Sequence, residues 1–256
     1  MRQQVAAQAV IEELLRQQAG TPERSWFGRL LGSSPLGESS VSWYRGALGE
    51  IAVGRILATL PAEWTVFHAL PIGSKGADID HLVIGPGGIF TINTKNHSGK
   101  SVWVGGQTLM VSGQKQPHIR NADHEAKRVT TLLRERMPEL PAARPVVAIL
   151  EPDRLRIKTK PEQTKVLSAA QLHRWLLKRP VTLTPEQLAE LAAIIDAPST
   201  WPQPLLPPTE NPMGRFALLH ATVRAAESRR RLWSLLRWLA GALLLVGFYL
   251  AVIGRA

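Results

Sequence analysis

The chain has 256 residues, no cysteine and a formal net charge of +11 at pH 7, with a pI near 10.7. Without cysteine there is no disulfide framework and no thiolate chemistry. A charge this positive favours polyanionic partners, either nucleic acid or an acidic lipid face. The first twenty residues carry acids and glutamines where a signal peptide needs an apolar run, so a cleaved N-terminal signal is not expected.

In chain order, residues 1–18 read as a short amphipathic helix with Val10, Ile11, Leu14 and Leu15 on one stripe, stopped by Gly20. Thr21-Pro22-Glu23 has the chemistry of a second helix start, and residues 32–40 (GSSPLGESS) have a linker's composition. From Val41 the apolar spacing turns helical, with Trp43, Ala47, Ile51, Leu57 and Leu60 near one face, and Pro61 ends the run. Residues 64–70 are strand-like and 71–77 form a loop. Residues 78–85 and 89–96 are strands joined at Pro86-Gly87-Gly88, a hairpin with turn chemistry in place. A second hairpin is expected around Gly105-Gly106. Residues 122–137 form a helix with Val129, Leu132 and Leu133 inward. Residues 145–151 are apolar throughout, as a buried strand requires. A short strand at 164–168 leads into a helix to about Lys178. Thr184-Pro185-Glu186-Gln187 starts another helix with an N-cap and a capping-box partner. The order indicates a mixed α/β (α+β) fold, a mixed central sheet flanked by helices.

The C-terminal region predicts a membrane helix. Residues 198–212 form a Pro-rich spacer, and Arg224, Arg229, Arg230, Arg231 and Arg237 follow it. Residues 238–254 are uncharged, 17 in all, the short end of a bilayer span. With Arg237 snorkelling, residues 233–253 become a workable hydrophobic unit, with Trp233, Trp238 and Tyr249 near the interfaces. The arginines then place the main domain in the cytoplasm and the C-terminus outside, a single-pass arrangement. A buried core helix or a partner-binding helix is the plainer reading of the same run.

The candidate chemistry lies on the first hairpin. Residues two apart on a strand share a face, so Asp78 and Asp80 point one way, as do Asn93 and Lys95, and the hairpin brings the pairs together. Glu50, on the preceding helix, can reach the same region. Carboxylates with a lysine suit metal-assisted phosphodiester hydrolysis: hard oxygens hold Mg²⁺ or Mn²⁺, and an ammonium offsets developing phosphate charge. Asp78 has a plainer role as a loop cap, Glu50 as an exposed helix glutamate, Lys95 as a solvated strand-end lysine. Asp80 asks for a reason, because a carboxylate inside an apolar strand is costly. His81 reads as a packed residue. Lys75, Asn96, His97 and Arg120 are candidate nucleic-acid contacts. Arg120, Asn121, His124 and Glu125 read chiefly as a helix start, whose N-terminus is also able to face a phosphate. No Cys/His metal cluster, Walker loop or G-x-S-x-G is present, and GPGG (85–88) is a turn between strands.

The segments GALGEIAVGRIL (46–57), DIDHLVIGPGGIFTINTKN (78–96) and SGKSVWVGG (98–106) resemble the nuclease-related domain (NERD) family of the restriction-endonuclease-like superfamily. The resemblance covers roughly residues 43–150 and weakens to about 178. It implies that Glu50 is the first-helix glutamate, Asp80 the metal-binding aspartate and Lys95 the lysine of the E-x-K strand. It also implies metal ligation by Glu50, Asp80 and the residue at 93. There the chain departs from the pattern: Asn93 stands where a carboxylate is usual, and its neutral carbonyl oxygen is a weaker ligand for Mg²⁺.

The organisation expected is an N-terminal helix and linker (1–40), a nuclease-related domain (41–178), a helical extension (179–200), a Pro-rich basic linker (201–231) and a transmembrane helix (232–254). The leading functional expectation is Mg²⁺- or Mn²⁺-dependent hydrolysis of DNA or RNA at the cytoplasmic membrane face, with no small organic cofactor. The alternatives are a non-catalytic module of the same fold that binds nucleic acid or protein, and a membrane-associated scaffold.

Overall fold

The computed structural model describes residues 1–73, 78–202 and 209–253, with side chains described through Gly247 and at Ile253. The chain divides into two compact units, Met1–Glu12 with Ser42–Thr209, and Glu13–Val41 with Glu210–Ala256.

The first unit is built on helix α3 (Glu38–Leu57) and two sheets. Helices α1 (Gln8–Ala19) and α2 (Trp26–Leu31) precede it. Strands β1 (Thr65–Pro71), β2 (Asp78–Gly85) and β3 (Gly88–Asn96) form an antiparallel meander. The β2–β3 turn closes on the pair Gly85↔Gly88, and Gly88 adopts φ 120°, which L side chains rarely take. The chain then leaves to make the small sheet from β4 (Ser101–Gly105), β5 (Thr108–Val111) and β6 (Gln114–Gln116). Helix α4 (His118–Arg134) returns it to β7 (Arg144–Leu150), which runs parallel to β3. Strand β8 (Arg154–Thr159) joins the small sheet parallel to β4, and β9 (Lys165–Ser168) adds to the main one parallel to β7. The orders are β1-β2-β3-β7-β9 and β6-β5-β4-β8. Helices α5 (Ala169–Leu177) and α6 (Pro185–Asp196) complete the unit, α6 opening on the Thr184–Gln187 capping box read from the sequence.

Both faces of the main sheet are covered, so β2 and β3 are buried almost end to end. Phe90, Ile92, Val146 and Ala148 pack with Val53 and Leu57 of α3 and with Leu172 and Leu176 of α5. Leu82, Ile84 and Ile89 pack with Ala126, Val129 and Leu133 of α4 and with Leu191 and Ile195 of α6. The small sheet seals a third cluster: Val102, Val104, Leu109 and Val111 cover Ile119, Ala122, Val147 and Ile149. The mixed sheet flanked by helices is the architecture expected.

In the second unit, the residues from 212 onward expected as linker and then membrane span are one helix, α7 (Pro212–Ile253), of 42 residues. Trp233 Nε1 donates to Leu30 O at 3.0 Å and Arg229 donates to Arg29 O at 3.0 Å, tying α7 to α2. The membrane expectation is corrected here. Among the described residues no helix is long and apolar enough to cross a membrane. The uncharged run of 17 residues rises only about 25 Å, against a hydrocarbon core of about 30 Å. Extending it backward takes in Arg237, and Trp233 is engaged with α2 rather than free as an anchor. The side chain of Tyr249 lies outside the described residues. The single-pass topology falls with the span.

Candidate functional site

A cleft of about 640 Å³ opens at the end of the β2–β3 hairpin away from its turn. Glu50, Asp78, Asp80, Asn93, Lys95 and Glu125 all line it. Glu50 arrives because α3 runs unusually close to β3. A Cβ on Gly49 would stand 3.2 Å from Asn96 Cβ and 3.3 Å from Thr94 Cγ2, tighter than most side-chain contacts. The GALGE glycine therefore sets the depth to which Glu50 is pressed, and Glu50 is only 4% exposed. Asp80 lies one residue beyond the His81↔Ile92 pair, and its Oδ2 accepts the Thr94 backbone N–H at 2.5 Å. Asp78, two residues earlier, faces the same side. The four residues expected to act (Glu50, Asp80, Asn93 and Lys95) are thus brought together in one cleft.

Burial sets the electrostatics. Glu50 is pushed well above the ordinary carboxylate range by desolvation, and then by Asp80 and Asp78. Asp78 is raised to about 7 by burial and by Asp80. Asp80 is raised by burial, while Lys95 and the Thr94 N–H pull it back. Glu125 is raised to about 7, again chiefly by burial, with the Asn93 amide opposing. Four carboxyl groups thus share a cleft to which Lys95 and Lys100 bring the side-chain ammonium groups.

Glu125 is the residue that sequence reasoning passed over. Read with a helix from 122, it sits at a helix start. The helix begins at His118, which puts Glu125 in its second turn, beside the inward Ala122, Ala126 and Val129. Asn93 Nδ2 donates to its carboxylate, 2.9 Å from Oε1 and 2.8 Å from Oε2. A carboxylate therefore stands beside Asn93, delivered by α4 rather than by β3. A charge on the buried stripe of an amphipathic helix was the available signal.

The other candidates divide. Asn96 lines the cleft, but its amide is used within the fold: Nδ2 donates to Arg45 O at 2.8 Å and Oδ1 accepts from Ser98. His97 also lines the cleft and pairs with His118, Nε2 to Nε2 at 3.1 Å. Burial and the nearby lysines lower both rings, His118 to about 3. Arg120 is exposed on α4 and does not line the cleft, a correction to its expected place: its position on the helix turns it outward while Ile119 and Ala122 turn in. Lys75 lies outside the described residues. His81 is fully buried against His68, Nδ1 to Nδ1 at 2.8 Å, and takes no part in the cleft.

The donor set suits a hard divalent cation. Glu50 Oε2, Asp78 Oδ2 and Asn93 Oδ1 are buried and accept no hydrogen bond, and oxygen ligands of this kind are what Mg²⁺ and Mn²⁺ take. The donors line the cleft without converging: among the described residues, no three His, Cys, Asp or Glu side chains form a ready-made metal cluster.

Comparison with known proteins bears on the stretch of chain that carries most of the cleft. Residues 45–150 match the family model of the nuclease-related domain, NERD. The cleft's α3, β2, β3 and α4 side chains, from Arg45 to Glu125, lie inside that stretch. An uncharacterized protein of Bacillus anthracis is 29% identical over 106 residues, covering 37% of this chain and 50% of that protein. The chain spans about half the length of that curated relative. No solved structure matches.

Proposed function

We propose that the cleft hydrolyses phosphodiester bonds in DNA or RNA with a divalent cation, Mg²⁺ or Mn²⁺. The observation that carries this reading is the group of carboxylates that share the cleft with Lys95, where two carboxylate oxygens, Glu50 Oε2 and Asp78 Oδ2, and the amide oxygen of Asn93 are buried without a hydrogen-bond partner. Buried charge of one sign opposes folding unless something compensates it, and a cation is the compensation that this donor chemistry accepts. Glu50, Asp80 and Asn93 Oδ1 would hold it, with Glu125 beside them. The cation supplies Lewis-acid stabilisation of phosphate charge and a more acidic water. Asp80 is fixed by the Thr94 N–H, so its free oxygen keeps one direction. Lys95 faces the same space and offsets charge developing on the phosphate.

Full-length protein incubated with end-labelled single- and double-stranded DNA and RNA, with Mg²⁺ or Mn²⁺, tests this. Cleavage that disappears with chelator, in Asp80→Asn and in Lys95→Met supports hydrolysis. Absence of cleavage on every substrate sinks it.

One observation favours a second reading, a binding module without catalysis. Asn93 is neutral and its amide nitrogen is already engaged by Glu125. Metal-independent nucleic-acid binding with no cleavage is its signature.

A further inference from the structure

The small sheet has an inner face that is apolar across β4, β5 and β8, and an outer face of a different kind. Outward on β4 stand Ser101, Trp103 and Gly105, alternating with the buried Val102 and Val104. The register gives one row across all four strands: Lys115, Met110, Trp103, Arg156. Arg154 stands beside Ser101 in the next row. Lys158 is exposed where the β4–β8 register shifts, and Lys160 is exposed just past the end of β8. Among the described residues none of these cations makes an ion pair. Edge strands often carry charge, lysine above all, to prevent pairing, but that role needs no aromatic group.

Trp103 is the feature that edge protection leaves unexplained. Its indole lies along its own strand over Gly105: a Cβ there would stand 2.2 Å from Cη2 and 2.8 Å from Cζ3. Glycine at 105 thus lets the ring lie flat on the sheet, half-buried, with Arg156 and Met110 on either side. Alternate residues on β8 are about 7 Å apart, comparable to the step between successive phosphates of an extended strand. A flat aromatic surface bordered by regularly spaced cations is what single-stranded nucleic acid requires, bases stacking and phosphates neutralised. The platform also runs on toward the cleft, since Lys100 lines the cleft and Ser101 begins β4.

We infer that the outer face of the β6-β5-β4-β8 sheet binds single-stranded nucleic acid, with Trp103 stacking an unpaired base and Arg154, Arg156 and Lys115 holding the backbone. The inference goes beyond the hydrolytic reading and holds whether or not the cleft cleaves.

The test is fluorescence anisotropy of full-length protein with labelled oligothymidine and oligouridine of about 16 nucleotides, in chelator, across a salt series. Trp103→Ala weakens binding about tenfold or more, and Trp103→Phe restores most of the loss. Arg154→Gln with Arg156→Gln weakens binding further and flattens the salt dependence by about 1.4 in slope, two phosphate contacts' worth on a single strand. Arg128→Gln, on exposed α4 surface, leaves affinity within about twofold. The assay runs in chelator, without metal-dependent cleavage, so loss of this face is read apart from the chemistry of the cleft. Unchanged affinity in Trp103→Ala and in the double variant overturns the inference. So does preference for a duplex, or loss in the double variant of binding to anionic vesicles alone. A thermal melt of each variant separates lost binding from lost folding, and Trp103→Phe decides the case if Trp103→Ala unfolds.

Discussion

The acidic cleft and the outer face of the small sheet belong to one unit and handle charge in opposite ways. In the cleft, Glu50, Asp80 and Asn93 are buried, and the unit carries their desolvation. On the small sheet, Arg154, Arg156 and Lys158 stand in solvent at little cost. The difference teaches where a charge is informative. An exposed arginine is compatible with folding and nothing else, so its meaning must come from its neighbours, here Trp103 over Gly105. A buried carboxylate without a partner works against folding, so its persistence already points to a ligand.

The largest effect breaks the comparison on the cleft side. Asp80→Asn keeps an oxygen for the Thr94 N–H and removes the charge. Under the hydrolytic reading it lowers cleavage by about 10²–10³-fold, while the metal-free melting temperature rises. Cleavage at wild-type rate would detach Asp80 from the chemistry. The next effect is on stability and pH. Asp78 and Glu125 have folded pKa values near 7, above the ordinary 3.8 and 4.5. Between those values the native state binds more protons than the unfolded one, so these groups lower stability as pH rises from about 4 to about 7. At pH 8 the cost is on the order of 3 to 4 kcal/mol for each. Four histidines act in the opposite sense. His68, His81, His97 and His118 are depressed, so their contribution is complete above about 6.5 and is lost as pH falls through their folded values. The wild-type profile therefore mixes two slopes, and a difference isolates one. In chelator, Glu125→Gln matches wild type near pH 4 and exceeds it by a few kcal/mol at pH 8 by denaturant unfolding. A difference that stays flat with pH would show that Glu125 is ionised freely.

Much of this was legible in the sequence, and the limits have physical causes. The β2–β3 hairpin was readable because Pro86-Gly87-Gly88 and the flanking alternation agree. The convergence of Asp80, Asn93 and Lys95 followed from the period of two. Glu125 reads from the sequence as a helix start, because its meaning depends on where α4 begins and helix boundaries are set by tertiary packing; its place four residues before the inward Val129 was the signal left unused. Strand β8 was missed because RLRIKT is charged on one face and only half covered on the other. Its pairing with β4 is a parallel, long-range contact that no local pattern announces. The C-terminal run misled for a related reason. Hydropathy reports composition, and the helix that carries it starts at Pro212 and spends Trp233 on α2. The glycines at 49 and 105 carry information only once the side chain beside each is known.

Two smaller effects sharpen the comparison. Asn93→Asp removes the amide donated to Glu125 and sets two carboxylates together, which destabilises the metal-free protein by about 1–3 kcal/mol. The same change supplies the acid that the superfamily pattern expects, so Mn²⁺ raises its melting temperature more than that of wild type. An equal Mn²⁺ shift in both proteins would mean that residue 93 does not face the cation. The smallest effect falls on the exposed face. Gly105 has a negative φ, so alanine is allowed by its backbone and the new Cβ meets only the far end of the Trp103 ring. The ring yields by tilting off the sheet. Gly105→Ala then changes stability by less than about 1 kcal/mol, yet weakens oligonucleotide binding nearly as much as Trp103→Ala. A stability change without a binding change would show that the flat ring serves packing alone. The reverse result would separate, at one methyl group, what the small sheet needs in order to fold from what it needs in order to bind.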